Sequence, residues 1–236
     1  MPFIKAERKN AKLRLAITGP AGSGKTYGAL LIAQGLGGKI AMIDTENGSG
    51  DLYAGLCDYD IAPLSAPYDP RRYIQLLHEA ENSGYSVIII DSLSHEWNGI
   101  GGCLDIHCKL TETKYRGNGY AAWREVTPLH QALVDALLAS PAHIIATMRA
   151  KTEYVQNVNE KGRTEIHKVG LAPIQREGMD YEFGTVFDLS PEHSAIATKD
   201  RLRLFEGNVF TLSTDVGKQL RAWLDIVPST QKGGEA

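Results

Sequence analysis

The chain has 236 residues, 43% of them hydrophobic, enough to bury one substantial α/β core, with one domain the simpler expectation than two. A formal net charge of −3 excludes a global basic field for nucleic acid, so any such site must be local. No apolar run has signal-peptide or bilayer-spanning character, and the three cysteines, Cys57, Cys103 and Cys108, suit reduced thiols of a cytoplasmic protein better than a disulfide framework.

The first predicted element is an alternating strand, Leu13–Thr18. It leads into Gly19-Pro20-Ala21-Gly22-Ser23-Gly24-Lys25-Thr26, a complete G-x-x-x-x-G-K-T phosphate loop, and then into an apolar run of helical length from Thr26 and Tyr27 onward. Strand, glycine loop and helix are the context the motif needs. Backbone N–H groups and the helix N-terminus surround the β-phosphate of ATP, Lys25 neutralises the β/γ oxygens, and the Thr26 hydroxyl ligates Mg²⁺. A second strand, Lys39–Asp44, ends in Asp44-Thr45-Glu46; a carboxylate there sits beside the γ-phosphate and can orient and deprotonate water. The segment from Ala41 to Asp60 carries five acids and no Lys or Arg, which argues against DNA contact there.

Further strands are predicted at Asp60–Leu64, Ser86–Asp91 and Ala142–Thr147. Asp91 closes the apolar run Val87-Ile-Ile-Ile and is placed to hold Mg²⁺-bound water. Asp69-Pro70 opens a helix that stops near Ser83-Gly84; a second helix covers about 120–139, with Thr127-Pro128 either kinking it or capping another. His95, Cys103, His107 and Cys108 lack the second ligand pair of a zinc finger. After Thr147 a β-hairpin is predicted, with 152–158 and 163–169 flanking Asn159-Glu-Lys-Gly162. Short strands follow at about 185–189, 194–198, 202–205 and 209–211, and Ser213 caps a last helix, 214–226. The order βαβαβαβ predicts a doubly wound, mostly parallel sheet with a C-terminal β-rich extension. The domain spans 1–227 and a disordered tail 228–236.

These motifs resemble the RecA-type ATPase core. The resemblance rests on the phosphate loop, Glu46 after the next strand, Ile88-Ile-Ile-Asp91-Ser92, and the late cation pair Lys199-Asp-Arg201. It looks closest to the short phage-encoded cores of the Sak single-strand annealing group, which would place the protein in the host cytoplasm. The resemblance implies that Lys199 and Arg201 reach a neighbouring subunit's γ-phosphate as arginine fingers, in a homo-oligomeric ring or helical filament. A solvated basic strand edge is the alternative. Tyr53, seven residues after Glu46, falls where such cores place a tyrosine on adenine, and equally suits an ordinary helix-face aromatic. Thr147-Met148-Arg149 stands where RecA has Asn-Gln, and methionine cannot bond a γ-phosphate as glutamine does, so the sensor is Thr147, Arg149 or another residue.

Two segments are candidates for loops facing single-stranded DNA. The first, 105–124, carries Lys109, Lys114 and Arg116, with Gly117-Asn-Gly119 allowing mobility. The second, 151–176, carries Lys151, Lys161, Arg163 and Lys168. Each nets about +2, and basic residues with interleaved aromatics suit a phosphate-tracking groove. The expected function is therefore a Mg²⁺-dependent ATPase of recombination or strand annealing, with a single-strand DNA-binding protein as a further partner and no membrane. A ring motor of DnaB or KaiC type and a small-molecule kinase are the alternatives.

Overall fold

Among the described residues, nine strands share one sheet in the order β3-β2-β4-β5-β1-β7-β8-β9, with β6 paired to β5 off this path. They are β1 (Arg14–Gly19), β2 (Ile40–Asp44), β3 (Asp60–Pro63), β4 (Val87–Asp91), β5 (His143–Val158), β6 (Thr164–Pro173), β7 (Thr185–Leu189), β8 (Ser194–Asp200) and β9 (Val209–Thr211). The computed structural model describes residues 11–158 and 164–225, without the side chains of 152–171. The predicted tail 228–236 and the hairpin tip with Lys161 and Arg163 lie outside the described residues. From β3 to β7 all neighbours run parallel; β8 and β9 return antiparallel. The α/β expectation, including the β-rich C-terminal part, is met.

The strands alternate faces with period two, and both faces are covered. Leu15, Ile17, Ile89 and Ile145 pack with α1 (Lys25–Leu36) and α7 (Thr214–Leu224). Ala16, Ile88, Ile90 and Ile144 pack on the other side, with Tyr73 and Leu77 of α2 (Pro70–Asn82) and Leu133 and Leu137 of α5 (Gly119–Ala139). Each fully buried aliphatic side chain of this kind contributes about 1.5–3 kcal/mol of transfer free energy. Asp69 caps α2 by accepting from Arg71 N, and Ser213 caps α7 by accepting from Val216 N, both as the sequence signals require. Pro128 lies inside α5, which runs on through it.

The helix α7 crosses α1 at very close range. A Cβ on Gly35 would lie 2.1 Å from the Thr214 carbonyl oxygen, and one on Gly217 would lie 2.3 Å from that of Ile32. Only glycine fits at either position.

Two expectations fail locally. Residues 202–205 form no strand, because Asp200 accepts from the backbone N–H groups of Leu202, Leu204 and Phe205 at 2.9, 2.7 and 2.7 Å. That short acidic side chain offers the backbone a turn in place of a ladder. Nor is 105–124 a mobile loop: α4 (Cys103–Thr113) and α5 take most of it, leaving 114–118 as the connection.

Candidate nucleotide site

The carboxyl edge of the parallel strands gathers the predicted site. Beyond β1 the phosphate loop turns through Gly22 and Gly24, with φ of 77° and 86°, a left-handed conformation that lets successive N–H groups point into one concavity. Ser23 Oγ donates to the Pro20 carbonyl at 2.9 Å and pins the turn. Lys25 Nζ donates to the carbonyls of Gly19 and Pro20 at 3.0 and 2.7 Å, which lays the ammonium across the loop. Burial lowers the Lys25 pKa, while the charges of Asp91 and Glu46 work in the opposite direction.

Because β5 lies between β1 and β4, Thr147 stands between the loop strand and Asp91. Asp91 is only 2% exposed; it accepts from Thr26 Oγ1 at 2.6 Å on one oxygen and from Thr147 Oγ1 on the other. Burial pushes the Asp91 carboxyl up against those two hydroxyl bonds, with repulsion from Glu46 and Asp44 added. A buried carboxylate beside a hydroxyl oxygen is the hard donor pair that Mg²⁺ takes, with phosphate and water completing its shell. The residues present fit the ion.

Glu46 leaves β2 on a turn that Asp44 organises. The buried Asp44 carboxylate accepts from Glu46 N at 2.6 Å and from Gly50 N at 3.3 Å. Glu46 Oε1 accepts from Ser92 Oγ at 3.0 Å and from Arg149 Nε at 2.9 Å, and its second oxygen accepts from Arg149 Nη2. Burial would raise the Glu46 pKa, but the guanidinium fork, with help from His95 and Ser92, outweighs it and holds the carboxylate below its ordinary range. Arg149 is fixed at its backbone too, its N–H donating to Ser94 Oγ at 3.0 Å. Thr147 and Arg149 thus face the site, while Met148 between them is buried on the α2/α5 face.

A cavity of about 830 Å³ opens over the loop, lined by Lys25, Thr26, Glu46, Asp91 and Arg149 at one end and by Tyr27, Tyr53 and Leu212 at the other. Tyr53 meets Tyr27 edge to face, with centroids 5.8 Å apart, so its ring belongs to the cavity wall. His193, on the β7–β8 turn at φ 64°, also lines the cavity and lies against Gly24. His193, Ser92 and Leu212 join the site beyond the residues expected from the sequence. Ser92 directly follows Asp91 and could have been read from that position, whereas His193 and Leu212 carry no local signal.

Other predicted residues fall elsewhere. Since β8 runs back along β7, with Asp200 opposite Thr185, Lys199 and Arg201 lie at the far edge of the sheet from their own phosphate loop. Lys199 Nζ donates there to the carbonyls of Asp180 and Tyr181 at 3.0 and 2.6 Å, and Arg201 is exposed. Lys109 pairs with Asp105 at 2.8 Å, Lys114 pairs with Glu125, and Arg116 occupies an exposed turn at φ 51°. Lys151 is exposed at the base of the β5–β6 ribbon, and Lys168 lies on β6 opposite Tyr154.

The profile of a family named AAA_24, described as an AAA domain, matches residues 11–227. The chain belongs to this family. The AAA_24 domain therefore spans every element described above, and the phosphate loop, Asp91 and Glu46 sit within an AAA-type P-loop ATPase domain. A comparison with curated proteins returns no match. Among the described residues, no helix of the AAA_24 domain is long and apolar enough to cross a membrane.

Proposed function

We propose that this AAA-type ATPase hydrolyses Mg²⁺-ATP at the Gly19–Thr26 loop and acts on single-stranded DNA as a homo-oligomer, in the manner of the RecA-like annealing proteins. Lys25 binds the β/γ-phosphate oxygens, and Thr26 and Asp91 hold the Mg²⁺, which supplies charge neutralisation of the phosphates when bound. Glu46 orients the attacking water and takes its proton, and Arg149 reports the γ-phosphate by exchanging Glu46 for it. Tyr53 and Leu212 flank the base.

One observation carries the DNA reading. Arg149 grips Glu46 and is also the residue from which β5 continues beyond the parallel sheet as the β5–β6 ribbon, with the Arg149 carbonyl accepting from Ile174 N at 2.6 Å. The candidate base and the candidate DNA arm are thereby joined at a single residue. Lys199 and Arg201 lie remote from their own phosphate loop, so if they act on a nucleotide it is that of another copy, which supports the assembly.

The test is ATP turnover with and without single-stranded DNA, followed by affinity against salt. Turnover should rise with DNA, and each neutralised phosphate should contribute about −0.7 to the log–log salt slope. Lys161→Ala with Arg163→Ala should flatten that slope by about one to two units and leave ATP binding intact. Turnover indifferent to DNA but strictly dependent on a small acceptor would replace this reading with a kinase.

A further inference from the structure

Beside α3 (Ser94–Asn98), the short helix that follows Asp91 in the chain, three side chains of different chemistry meet in the interior. Glu96 is 0% exposed, Cys103 0% and His130 4%, and they come from α3, α4 and α5 respectively. Cys103 Sγ lies 3.0 Å from Glu96 Oε1, and His130 Nδ1 lies 3.1 Å from the same oxygen. All three donor atoms fall within 4.8 Å of one another, the one such group of three among the described residues. Gln175, just after β6, donates from Nε2 to Glu96 Oε2 and to the Leu93 carbonyl, both at 3.0 Å.

We propose that Glu96, Cys103 and His130 form a structural site for a divalent cation of the zinc class, which ties α3, α4 and α5 together. The donor set selects the metal: sulfur and imidazole nitrogen suit zinc, whereas Mg²⁺ and Ca²⁺ take oxygen shells. The charge balance selects a dication. One carboxylate and one thiolate with a neutral imidazole sum to −2, so a bound dication leaves a neutral cluster in a dry interior, where an uncompensated charge is costly. On binding, the Cys103 S–H bond breaks and its proton passes to solvent. Binding would also shift the imidazole proton from Nδ1, where it faces Glu96 Oε1, to Nε2, freeing the Nδ1 lone pair for the metal.

A water molecule would take the fourth tetrahedral position beside Sγ, Nδ1 and Oε1, with Glu96 Oε2 outside the shell. One of its lone pairs accepts from Gln175, which acts as the hydrogen-bonded orienter that ligating carboxylates usually have. The other cysteines and neighbouring histidines are engaged elsewhere. Cys108 is exposed, His107 bonds the Gly119 carbonyl at 2.9 Å, and His95 bonds Thr45 Oγ1 at 2.7 Å. The four-residue set His95, Cys103, His107 and Cys108 considered from the sequence is thus not assembled, and Cys103 alone of it turns inward.

The experiment uses the full chain, without a histidine tag, as Cys57→Ser/Cys108→Ser, so that Cys103 is the sole thiol. Titration with Co²⁺ should give one equivalent bound, with tetrahedral d–d bands and a thiolate-to-cobalt charge-transfer band. Adding His130→Ala or Cys103→Ser should abolish both. Zn²⁺ in about hundredfold excess over its Kd should raise Tm by roughly 5–10 °C in the sole-thiol protein. Absence of the charge-transfer band there, or a Tm that Zn²⁺ leaves unmoved, overturns the proposal even if the further substitutions fail to fold. ATP binding, followed in parallel, reads the nucleotide site separately.

Discussion

Replacing Glu46 by glutamine keeps the shape of the side chain and removes its basicity. Loss of a positioned general base costs about 10²–10⁴-fold in turnover, or about 3–5 kcal/mol of transition-state stabilisation. The fold should scarcely register the change. The ion pair with Arg149 is solvent-screened, with side chains 44% and 22% exposed, so its contribution to stability is about 0–1 kcal/mol. A glutamine oxygen can still accept from Ser92 and Arg149. Steady-state ATPase kinetics, nucleotide affinity and Tm therefore separate cleanly: kcat falls by at least about a hundredfold while affinity and Tm hold. The pH profile adds a second reading. As the base, Glu46 must be ionised, so kcat/KM falls as pH drops through its pKa, which Arg149 holds below the ordinary range. In Arg149→Ala the guanidinium is gone and burial remains, so the acid limb must move to higher pH. A Glu46→Gln enzyme within about threefold of the parent, less than about 0.7 kcal/mol, would refute the assignment of the base.

Lys25→Ala should abolish triphosphate binding by calorimetry while the circular dichroism of the fold persists; normal hydrolysis by this variant would remove the nucleotide site from the loop. Mixing Lys25→Ala protomers with Lys199→Ala/Arg201→Ala protomers should restore part of the ATPase activity, because a mixed interface joins an intact loop to intact cations across a head-to-tail contact. No rescue, in a protein that stays monomeric with ATP and DNA, would eliminate the trans role. Gly217→Ala places a methyl against the Ile32 carbonyl and should cost about 1–3 kcal/mol, seen as a Tm lower by roughly 2–12 °C; an unchanged Tm would show that the two helices can separate without cost.

The parts of this molecule that were legible in its sequence are those written in contiguous residues. The phosphate loop announces its own conformation through glycines. The strands β1, β2 and β4 show as apolar runs because both of their faces are covered, and Asp69 and Ser213 mark helix starts by cap chemistry. What escaped is carried by residues distant in the chain. The approach of His193 to Gly24 joins positions far apart on a turn with no motif, and the Glu96–Cys103–His130 meeting depends on how three helices cross. The failed strand at 202–205 shows the limit of pattern alone: apolar alternation was present, but Asp200 diverted three backbone N–H groups into its own carboxylate. Lys109 and Lys114 looked free in the sequence, and the helical spacing of α4 and its approach to α5 gave each an acidic partner.

The strand that carries the phosphate loop is the first among the described residues, yet it sits within the sheet, between β5 and β7. During synthesis it must therefore wait, unpaired, until the ribosome has delivered β5, and it gains its second neighbour only after Leu189; α1 in turn cannot seat against α7 until residues 214–224 have emerged. Parallel pairings closed over such long loops form slowly, since the entropy of closure is spent before the contacts return it. The nucleotide-binding motif is thus made before the strands that flank it and is among the last elements to be locked in place. Truncation before α7 should accordingly abolish nucleotide binding, although every residue assigned to the phosphates would still be present.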